Sequence, residues 1–373
     1  MSVWIAVAVL AFVASWATTL VLARKGSAIA LDVPNHRSLH DGEIPRTGGM
    51  GILAGLGVAL MVERLAFGGI ATGSREMGAV LLAAAGAALV FLADDLEGLP
   101  ILFRLVVQFA LAGATVWVAE LWRLPIPAAP WIATTVAVLA VVWMMNLYNF
   151  MDGMDGFAAG MTITGFGVLA LLGFRAGESS LGLVALAAAA AGAGFLPLNR
   201  PVAKIFMGDG GSVTLGFLAG ALALFGVSRG VFSIWVPVLA FSPFILDATF
   251  TLLKRALAGK KVWLAHREHL YQRLVLSGWS QGRAVALEYA FMGMGLAAAL
   301  AFDRLPGWGQ ASVLTGWALG FTVFALFVSR RESASAAGTL IAPATPSLTP
   351  PPSDVVEALA EPASGDRRRA VSA

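Results

Sequence analysis

Two carboxylates and two amides lie close together in the segment NLYNFMDGMDG, residues 146–156. Asp152 and Asp155 are three residues apart, so their side chains share a face on a helical turn. Gly153 and Gly156 follow them directly, and glycine lets a backbone turn sharply and approach a ligand closely. Two carboxylates at this separation repel each other unless a proton or a cation lies between them. The spacing therefore predicts a cation-binding site, and a helix cap or a solvated turn is the structural alternative.

Two further acidic motifs lie at the ends of apolar runs. Asp94 and Asp95 end the third run, although a helix C-terminus favours cations. A divalent cation or a basic neighbour would offset that cost, and a plain solvated helix end is the alternative. Asp209 lies in FMGDGGS, residues 206–212, directly before another apolar run. A glycine-rich turn at a helix N-terminus binds anions, and a carboxylate there is a hard ligand for Mg²⁺. A simple glycine turn is the alternative.

Basic and hydrogen-bonding residues are concentrated in three loops. Asn199, Arg200 and Lys204 precede the Asp209 motif and are donors suited to phosphate. The first loop contains more mixed polar groups than topology alone requires, namely Asp32, His36, Arg37, His40, Asp41 and Arg46. The last large loop contains Lys254, Arg255, Lys260, Lys261, His266, Arg267, His269, Tyr271 and Arg273. The alternative for this last loop is a basic surface that binds anionic lipid.

The composition is that of a protein with many membrane spans. Of the 373 residues, 58% are hydrophobic and 13% are charged, and the mean hydropathy is +0.80. Soluble domains carry about 25% charged residues. The formal charge of +3 can serve membrane topology, so it does not indicate a nucleic-acid partner. Cysteine is absent, which excludes disulfides, thiolate nucleophiles and Cys-ligated zinc.

Eleven apolar runs are long enough, or nearly so, to span a bilayer, which takes about 20 residues. They cover residues 3–23, 47–62, 77–93, 105–120, 131–147, 157–174, 181–198, 212–228, 231–253, 284–301 and 307–329. Most Lys and Arg residues lie in the odd-numbered loops and the C-terminal tail, which the positive-inside rule assigns to the cytoplasm. The N-terminus is then outside and the C-terminus is cytoplasmic. All four histidines and the acidic motifs lie on the cytoplasmic side.

We therefore expect an all-α, polytopic integral membrane domain over residues 1–332. Its active-site loops are predicted at residues 24–47, 94–104, 146–156, 199–212 and 254–283. Residues 333–373, rich in Ala, Pro and Ser, are expected to form a disordered cytoplasmic tail. Asp247 lies inside the ninth run and is predicted to pair with Lys254 or Arg255. Glu288 in the tenth run is expected to be structural.

Five motifs follow one another in an order that resembles a known family. They are DVPNHRSLHDGEIPRTGG, the pair at 94–95, NLYNFMDGMDG, NRPVAKIFMGDGGS and the loop ending in HREHLYQRL. Over roughly residues 1–330 the chain resembles the polyprenyl-phosphate N-acetylhexosamine-1-phosphate transferases. Many members carry a run of histidines in the last loop, whereas this chain keeps only His269, followed by Tyr271 and Gln272. The pattern AHREHLYQRL is similar to the subgroup that initiates O-antigen or related surface polysaccharides, often from 6-deoxy sugars.

The resemblance implies that a lipid phosphate attacks the β-phosphorus of a UDP-sugar and releases UMP, with Mg²⁺, or Mn²⁺ in its place, as cofactor. The implied catalytic residues are Asp94, Asp95, Asp209 and His269, and the implied metal ligands are Asp209, Asp94, Asp95, Asp152 and Asp155. The implied nucleotide-sugar contacts are Asn149, Asp152, Asp155, Asn199, Lys204, Phe206 and Arg267. The implied lipid-phosphate or loop contacts are Arg37, His40, Arg46 and Arg255.

The resemblance also implies the partners and the location. The partners are undecaprenyl phosphate, a UDP-N-acetylhexosamine derivative and membrane lipids, with a homodimer as a further candidate and no nucleic acid. The location is the bacterial inner membrane, with the active site facing the cytoplasm. Two other hypotheses stay open at this point. One is a secondary transporter, which would place its substrate groups near the bilayer midplane. The other is a catalytically idle lipid-binding member of the same fold.

Overall fold

The structure, a computed structural model, describes residues 2–25, 31–32, 43–125, 127–262, 264 and 266–341. Two short strands, β1 (Leu31–Asp32) and β2 (Ile44–Pro45), pair antiparallel. The helices are α1 (Val3–Lys25), α2 (Gly48–Ala66), α3 (Arg75–Glu97), α4 (Ile101–Val118), α5 (Pro130–Met151), α6 (Phe157–Arg175), α7 (Ser179–Asn199), α8 (Asp209–Ser228), α9 (Trp235–Ala240), α10 (Ser242–Leu257), α11 (Leu270–Leu276), α12 (Gln281–Phe302) and α13 (Gly307–Ile341).

The predicted all-α polytopic membrane fold is confirmed. Within the described residues, ten helices are long and apolar enough to cross a membrane, namely α1 to α8, α12 and α13. The difference from the predicted eleven lies in the ninth run, residues 231–253, which forms two shorter helices, α9 and α10. The outside location of the N-terminus and the cytoplasmic location of the C-terminus stay predictions.

A proline explains why α9 and α10 are separate helices. In a continuous helix the carbonyl of Leu239 would accept a hydrogen bond from the backbone nitrogen of residue 243. That residue is Pro243, which has no N–H to donate. The side-chain hydroxyl of Ser242 instead donates to the Leu239 carbonyl at 2.7 Å. The apolar run is therefore long enough to span, but its backbone is interrupted at Phe241.

Helix α8 is buried from Gly210 to Val227 and packs chiefly against α3 and α5. Glycines allow this close packing. A Cβ atom on Gly216 would lie 2.4 Å from the carbonyl oxygen of Met144, and one on Gly220 would lie 3.1 Å from Cα of Val141. Because α8 begins at Asp209, this packing brings that carboxylate to the ends of α3 and α5.

The segment that leads into α2 is fitted directly to the FMGDGGS motif. The backbone N–H of Phe206 donates to the carbonyl of Pro45 at 2.8 Å, and that of Gly49 donates to the carbonyl of Met207 at 2.7 Å. A Cβ atom on Gly49 would lie 2.5 Å from Cα of Gly211. The two motifs, distant in sequence, therefore form one backbone framework around the start of α8.

The chain divides into two compact units, residues 1–332 and residues 333–373. Of the second unit, the structure describes residues 333–341, which form the last turns of α13. The tail is predicted to be disordered from residue 333, but residues 333–341 are helical. The rest of the predicted tail lies outside the described residues.

Candidate active site

Asp95 joins the end of α3 to the beginning of α8. Its two carboxylate oxygens accept hydrogen bonds from the backbone N–H groups of Asp209 and Gly210, both at 2.9 Å. These N–H groups belong to the first turn of α8, where the helix dipole favours negative charge. Gly208 has φ +78°, and a Cβ atom there would lie 2.8 Å from Asp95 Oδ2. The N-terminus of α8 therefore offsets the cost expected for a carboxylate at the C-terminal end of α3.

Arg104, in the first turn of α4, bridges two other carboxylates. Its Nη1 atom lies 2.9 Å from Asp94 Oδ2 and 3.2 Å from Asp209 Oδ2. Asp94 also accepts a hydrogen bond of 2.6 Å from the backbone N–H of Leu99. Arg104 is absent from the predicted site residues. The available signal was its position ten residues after Asp94, at the next helix start on the same side of the membrane.

The end of α5 contributes an amide and a carboxylate to the same cluster. Asn149 Nδ2 donates to Asp209 Oδ1 at 2.9 Å and to Ser212 Oγ at 3.1 Å. The carboxylate of Asp152, the C-cap of α5, has no hydrogen-bond partner among the described residues. Burial of its carboxylate raises the pKa of Asp152 well above the usual range, and the negative charges of Asp209, Asp95 and Asp155 add to this effect. Within this cluster the Asp152 carboxylate is therefore the one without a partner among the described residues, and a cation or a proton would satisfy it.

The side chains of Asp155 and Asn199 form hydrogen bonds with backbone groups of nearby loops. Asp155 Oδ2 accepts a hydrogen bond of 2.9 Å from the N–H of Ala203. Asn199 Oδ1 accepts one of 3.0 Å from the N–H of Gly156, and Asn199 Nδ2 donates one of 3.0 Å to the carbonyl of Ile205. Asp155 and Asn199 are both buried. They connect the turn between α5 and α6 to the loop that carries Asp209.

His269 is buried at the N-terminus of α11, next to Asp247 of α10. His269 Nδ1 lies 3.4 Å from Asp247 Oδ1, an ion-pair distance if the imidazole is protonated. The carboxylate of Asp247 also accepts hydrogen bonds from the N–H groups of Leu270 at 2.9 Å and Tyr271 at 3.2 Å. Asp247 therefore caps α11 and fixes the backbone that carries His269.

Arg255 and Lys260 both contact Glu268. Arg255 Nη1 forms an ion pair with Oε1 of the partly exposed Glu268, and Lys260 Nζ lies 3.0 Å from the same oxygen. The predicted pairing of Asp247 with Lys254 or Arg255 is wrong, because the Asp247 carboxylate faces α11. Burial alone would raise the pKa of Glu268, but the hydrogen bond from Lys260 and the charges of Arg255 and Lys260 lower it. Arg255 thus stabilises the fold of this loop.

Predicted binding residues outside the carboxylate cluster have different surroundings. Arg46 donates from Nη2 to the backbone carbonyl of Asp95 at 2.5 Å, so it braces the end of α3. Phe206 is half-buried, while Lys204 and Arg267 are exposed. Two predicted lipid-phosphate contacts lie outside the described residues, namely Arg37 and His40.

The carboxylates supply the hard oxygen donors that Mg²⁺ prefers. Among the residues that the structure describes, no group of three or more His, Asp or Glu side chains is arranged to hold a metal ion. Proteins that act on phosphates commonly bind Mg²⁺ through one or two carboxylates, and water and substrate phosphates complete the coordination. Asp152 and the partly exposed Asp209 fit such a two-carboxylate site. Asp209 also contacts Arg104 and Asn149, but it is partly exposed. The other predicted ligands are buried and already bind Arg104 or backbone N–H groups, namely Asp94, Asp95 and Asp155.

The comparison with known proteins agrees with this geometry. The sequence profile of glycosyl transferase family 4 matches residues 77–227. A probable undecaprenyl-phosphate N-acetylglucosaminyl 1-phosphate transferase of Bacillus subtilis is 30% identical over 295 residues, which cover 75% of this chain and 81% of that protein. The chain belongs to glycosyl transferase family 4. This family 4 transferase is also 30% identical over 336 residues to a decaprenyl-phosphate N-acetylglucosaminephosphotransferase of Mycolicibacterium smegmatis, with 80% and 81% of the two chains covered.

Relatives with a different name match less than half of the family 4 transferase. A phospho-N-acetylmuramoyl-pentapeptide-transferase of Staphylococcus aureus is 30% identical over 159 residues, which cover 41% of this chain and 47% of that protein. The predicted enzyme class, a phosphoglycosyl transferase, is confirmed, and the transporter hypothesis finds no support. The profile match includes the ends of α3 and α5 and all but the last residue of α8, and these elements carry the carboxylate cluster.

Replacing Asp247 by Asn is expected to weaken both the fold and the activity of this transferase. The amide keeps one acceptor oxygen, so one buried N–H of Leu270 or Tyr271 loses its partner, at a cost of about 1–3 kcal/mol. Thermal unfolding in detergent and the pH–rate profile of transfer are the measurements. Thr251→Val is the control, because it removes a donor to Asp247 without touching α11. Equal effects of Asp247→Asn and Thr251→Val on the pH–rate profile would contradict a role in positioning His269.

The stability of the α10–α11 loop is expected to depend on pH through His266. Burial lowers the pKa of His266 from 6.5 to about 4, and the charges of His269 and Arg255 act in the same direction. As pH falls from about 6.5 to about 4, the unfolded chain binds a proton that the folded chain does not, so the free energy of unfolding decreases. His266→Gln removes this titration. We expect the variant's unfolding temperature to fall less than that of the wild type over this range, and parallel curves would contradict the assignment.

Proposed function

We propose that this transferase moves N-acetylhexosamine 1-phosphate from a UDP-sugar to undecaprenyl phosphate and releases UMP. The names of the relatives in Bacillus subtilis and Mycolicibacterium smegmatis support this proposal, since both specify a polyprenyl phosphate and an N-acetylglucosamine phosphate group. The observation that carries it is the meeting of Asp94, Asp152 and Asp209 at the ends of three span-length helices. A lipid phosphate anchored in the bilayer and a donor dissolved in water can both reach such a position.

The proposed reaction exchanges one phosphorus–oxygen bond for another. An oxygen of the lipid phosphate bonds to the β-phosphorus of the donor, and the bond from that phosphorus to the oxygen that bridges it to the α-phosphorus breaks. UMP leaves with the bridging oxygen, so no oxidant or further acceptor is required. Mg²⁺, or Mn²⁺ in its place, supplies neutralisation of phosphate charge when bound by Asp152 and Asp209. Arg104 holds Asp94 and Asp209 in fixed positions, which keeps the site preorganised for the reacting phosphates.

Other residues are proposed to bind the donor. The exposed cations Lys204 and Arg267 are suited to the phosphates of a nucleotide sugar. Phe206, the half-buried first residue of FMGDGGS, can stack on the uracil ring. His269, held by the capped start of α11, is proposed to donate to a phosphate oxygen. A wild-type-like KM for the donor in Lys204→Ala and in Phe206→Ala would argue against these two contacts.

We infer a biological role at the start of O-antigen or another cell-envelope polysaccharide, in the bacterial inner membrane. The site is proposed to face the cytoplasm, because most of the Lys and Arg residues lie in the loops on its side. The segment HREHLYQRL, with His269 followed by Tyr271, supports a 6-deoxy-N-acetylhexosamine as one donor option. Membrane lipids and a second copy of the chain are the other proposed partners.

The test is UMP release by the purified full chain in detergent with undecaprenyl phosphate and Mg²⁺. A panel of UDP-N-acetylhexosamines, 6-deoxy sugars included, identifies the donor. We expect release from at least one donor, and we expect it to stop when either the lipid or the metal is omitted. UMP release that continues at the same rate without the lipid would instead indicate hydrolysis, and the proposed acceptor would be wrong.

A further inference from the structure

A cavity of about 120 Å³ lies between α10, α12 and α13, and most of its wall is apolar. The apolar wall consists of Pro243, Leu246, Phe291, Met294, Trp317, Phe321 and Phe324. Gly316 and Gly320 of α13 also line it, and a Cβ atom on either glycine would meet no atom within 4 Å. Met294 is 51% exposed on the lipid-facing surface of α12, so an elongated molecule could extend from the cavity into the bilayer.

Two carboxyl groups lie in the wall of this apolar cavity, those of Asp247 and Glu288. Asp247 already accepts hydrogen bonds from the start of α11 and from Thr251. Glu288 is only 3% exposed and has no hydrogen-bond or ion-pair partner among the residues that the structure describes. A carboxyl group buried in a membrane helix is costly unless a partner satisfies it. Glu288 is therefore a polar group that a molecule in the cavity would satisfy.

We propose that this cavity binds an amphiphile that has an apolar chain and a primary ammonium head. The head donates hydrogen bonds to Glu288, and the aromatic side chains of Phe291, Trp317 and Phe321 surround the first part of the chain. A phosphate or carboxylate head is unsuitable, because Glu288 and Asp247 would both oppose its charge. This selectivity separates the cavity from the carboxylate cluster, whose proposed substrates carry phosphates. The proposal does not depend on the transfer reaction.

The experiment uses a 12-carbon primary amine with a photoreactive diazirine on the third carbon from the amine, so that the reactive group lies inside the cavity when the head is bound. The full chain in a nonionic detergent is labelled, and mass spectrometry locates the labelled residues. We expect labels on the cavity-facing residues of α12 and α13, with competition by dodecylamine and none by dodecanoate. Equal competition by dodecanoate, or labels spread over the lipid-facing surface, would overturn the proposal.

Three variants sharpen this experiment. Leucine at both Gly316 and Gly320 fills open space, so the fold should be retained while the labelling is lost. Gly293→Leu is the matched control, because Gly293 also has open space around it but does not line the cavity. Glu288→Gln should weaken competition by dodecylamine about tenfold, which is about 1.4 kcal/mol, because the amide oxygen still accepts a hydrogen bond but carries no charge. Unfolding temperatures confirm that each variant is folded, and undiminished labelling in the folded double variant would contradict the assigned site.

Discussion

Replacing Asp209 by Asn is expected to lower kcat/KM for UMP release by roughly 10²–10³-fold, the scale of one lost electrostatic contact to a transition state. The amide keeps the shape of the side chain but removes the charge that faces Arg104 and, in our proposal, Mg²⁺. The effect on folding is expected to be small, because Asp209 contributes about 0.3–1 kcal/mol through the α8 dipole. The measurement is the rate of UMP release over a range of Mg²⁺ concentrations.

Glu97→Gln is the matched control for Asp209→Asn. Glu97 is an exposed carboxylate in the last turn of α3, close in sequence to the cluster but without a hydrogen-bond or ion-pair partner among the described residues. We expect its substitution to leave the rate of UMP release within about twofold of the wild type, as for an exposed surface charge. If Asp209→Asn is equally active at every Mg²⁺ concentration, Asp209 does not bind the metal.

Replacing Gly49 by Val is expected to prevent correct folding. A Cβ atom at Gly49 would lie 2.5 Å from Cα and 2.6 Å from the backbone nitrogen of Gly211, and 2.8 Å from the carbonyl oxygen of Met207. All three neighbours are backbone atoms, so no side-chain rotation relieves the overlap. Overpacking in a core costs about 1–3 kcal/mol even where side chains can move, and this position allows less movement. We expect little monodisperse protein after detergent extraction, as measured by size-exclusion chromatography.

Gly57→Val in the same helix provides the comparison. Nothing lies within 4 Å of a Cβ atom at Gly57, so the valine would project into open space. This variant should extract and elute like the wild type, apart from the modest loss of helix propensity that valine carries. Similar yields of folded protein from Gly49→Val and Gly57→Val would show that α2 and the start of α8 do not meet as described.

The membrane fold can be predicted from the sequence because apolar runs of about 20 residues match the thickness of the bilayer interior. Ten of the eleven predicted spans correspond to single helices, with ends shifted by at most about four residues except in α13, which continues from the predicted end at residue 329 to Ile341. The ninth run met the length criterion but is broken at Phe241, where the missing N–H of Pro243 leaves the Leu239 carbonyl to Ser242. Hydropathy counts apolar residues and takes no account of a missing backbone donor. Hydropathy alone therefore does not predict the break between α9 and α10, whereas the position of Pro243 does.

The site residues were predicted less completely than the helices, and the reason is physical. The order of the motifs predicts that Asp94, Asp152 and Asp209 belong to one active site. In the structure the three residues lie at neighbouring helix ends. Spacing along the chain cannot reveal which carboxylate faces a backbone N–H across the bundle, as Asp95 does at the start of α8.

The same limit applies to charges that meet across long intervals in sequence. Arg104 of α4 contacts Asp209, which lies 105 residues later. Asp247 caps a helix that begins 23 residues later, at Leu270. Its expected partner Arg255 instead pairs with Glu268. Such pairings depend on how helices and loops pack, and the local pattern of apolar and charged residues does not encode them.

The most direct test of the central claim follows the β-phosphorus of the donor. A UDP-N-acetylhexosamine labelled with ³²P in the β-position is incubated with the full chain, undecaprenyl phosphate and Mg²⁺, and the organic and aqueous phases are then counted. If the carboxylate cluster catalyses sugar-phosphate transfer, the label moves into the lipid with the wild type and stays in water with Asp152→Asn. Label that stays in the aqueous phase with the wild type while UMP is released, or that reaches the lipid equally with Asp152→Asn, would contradict the account.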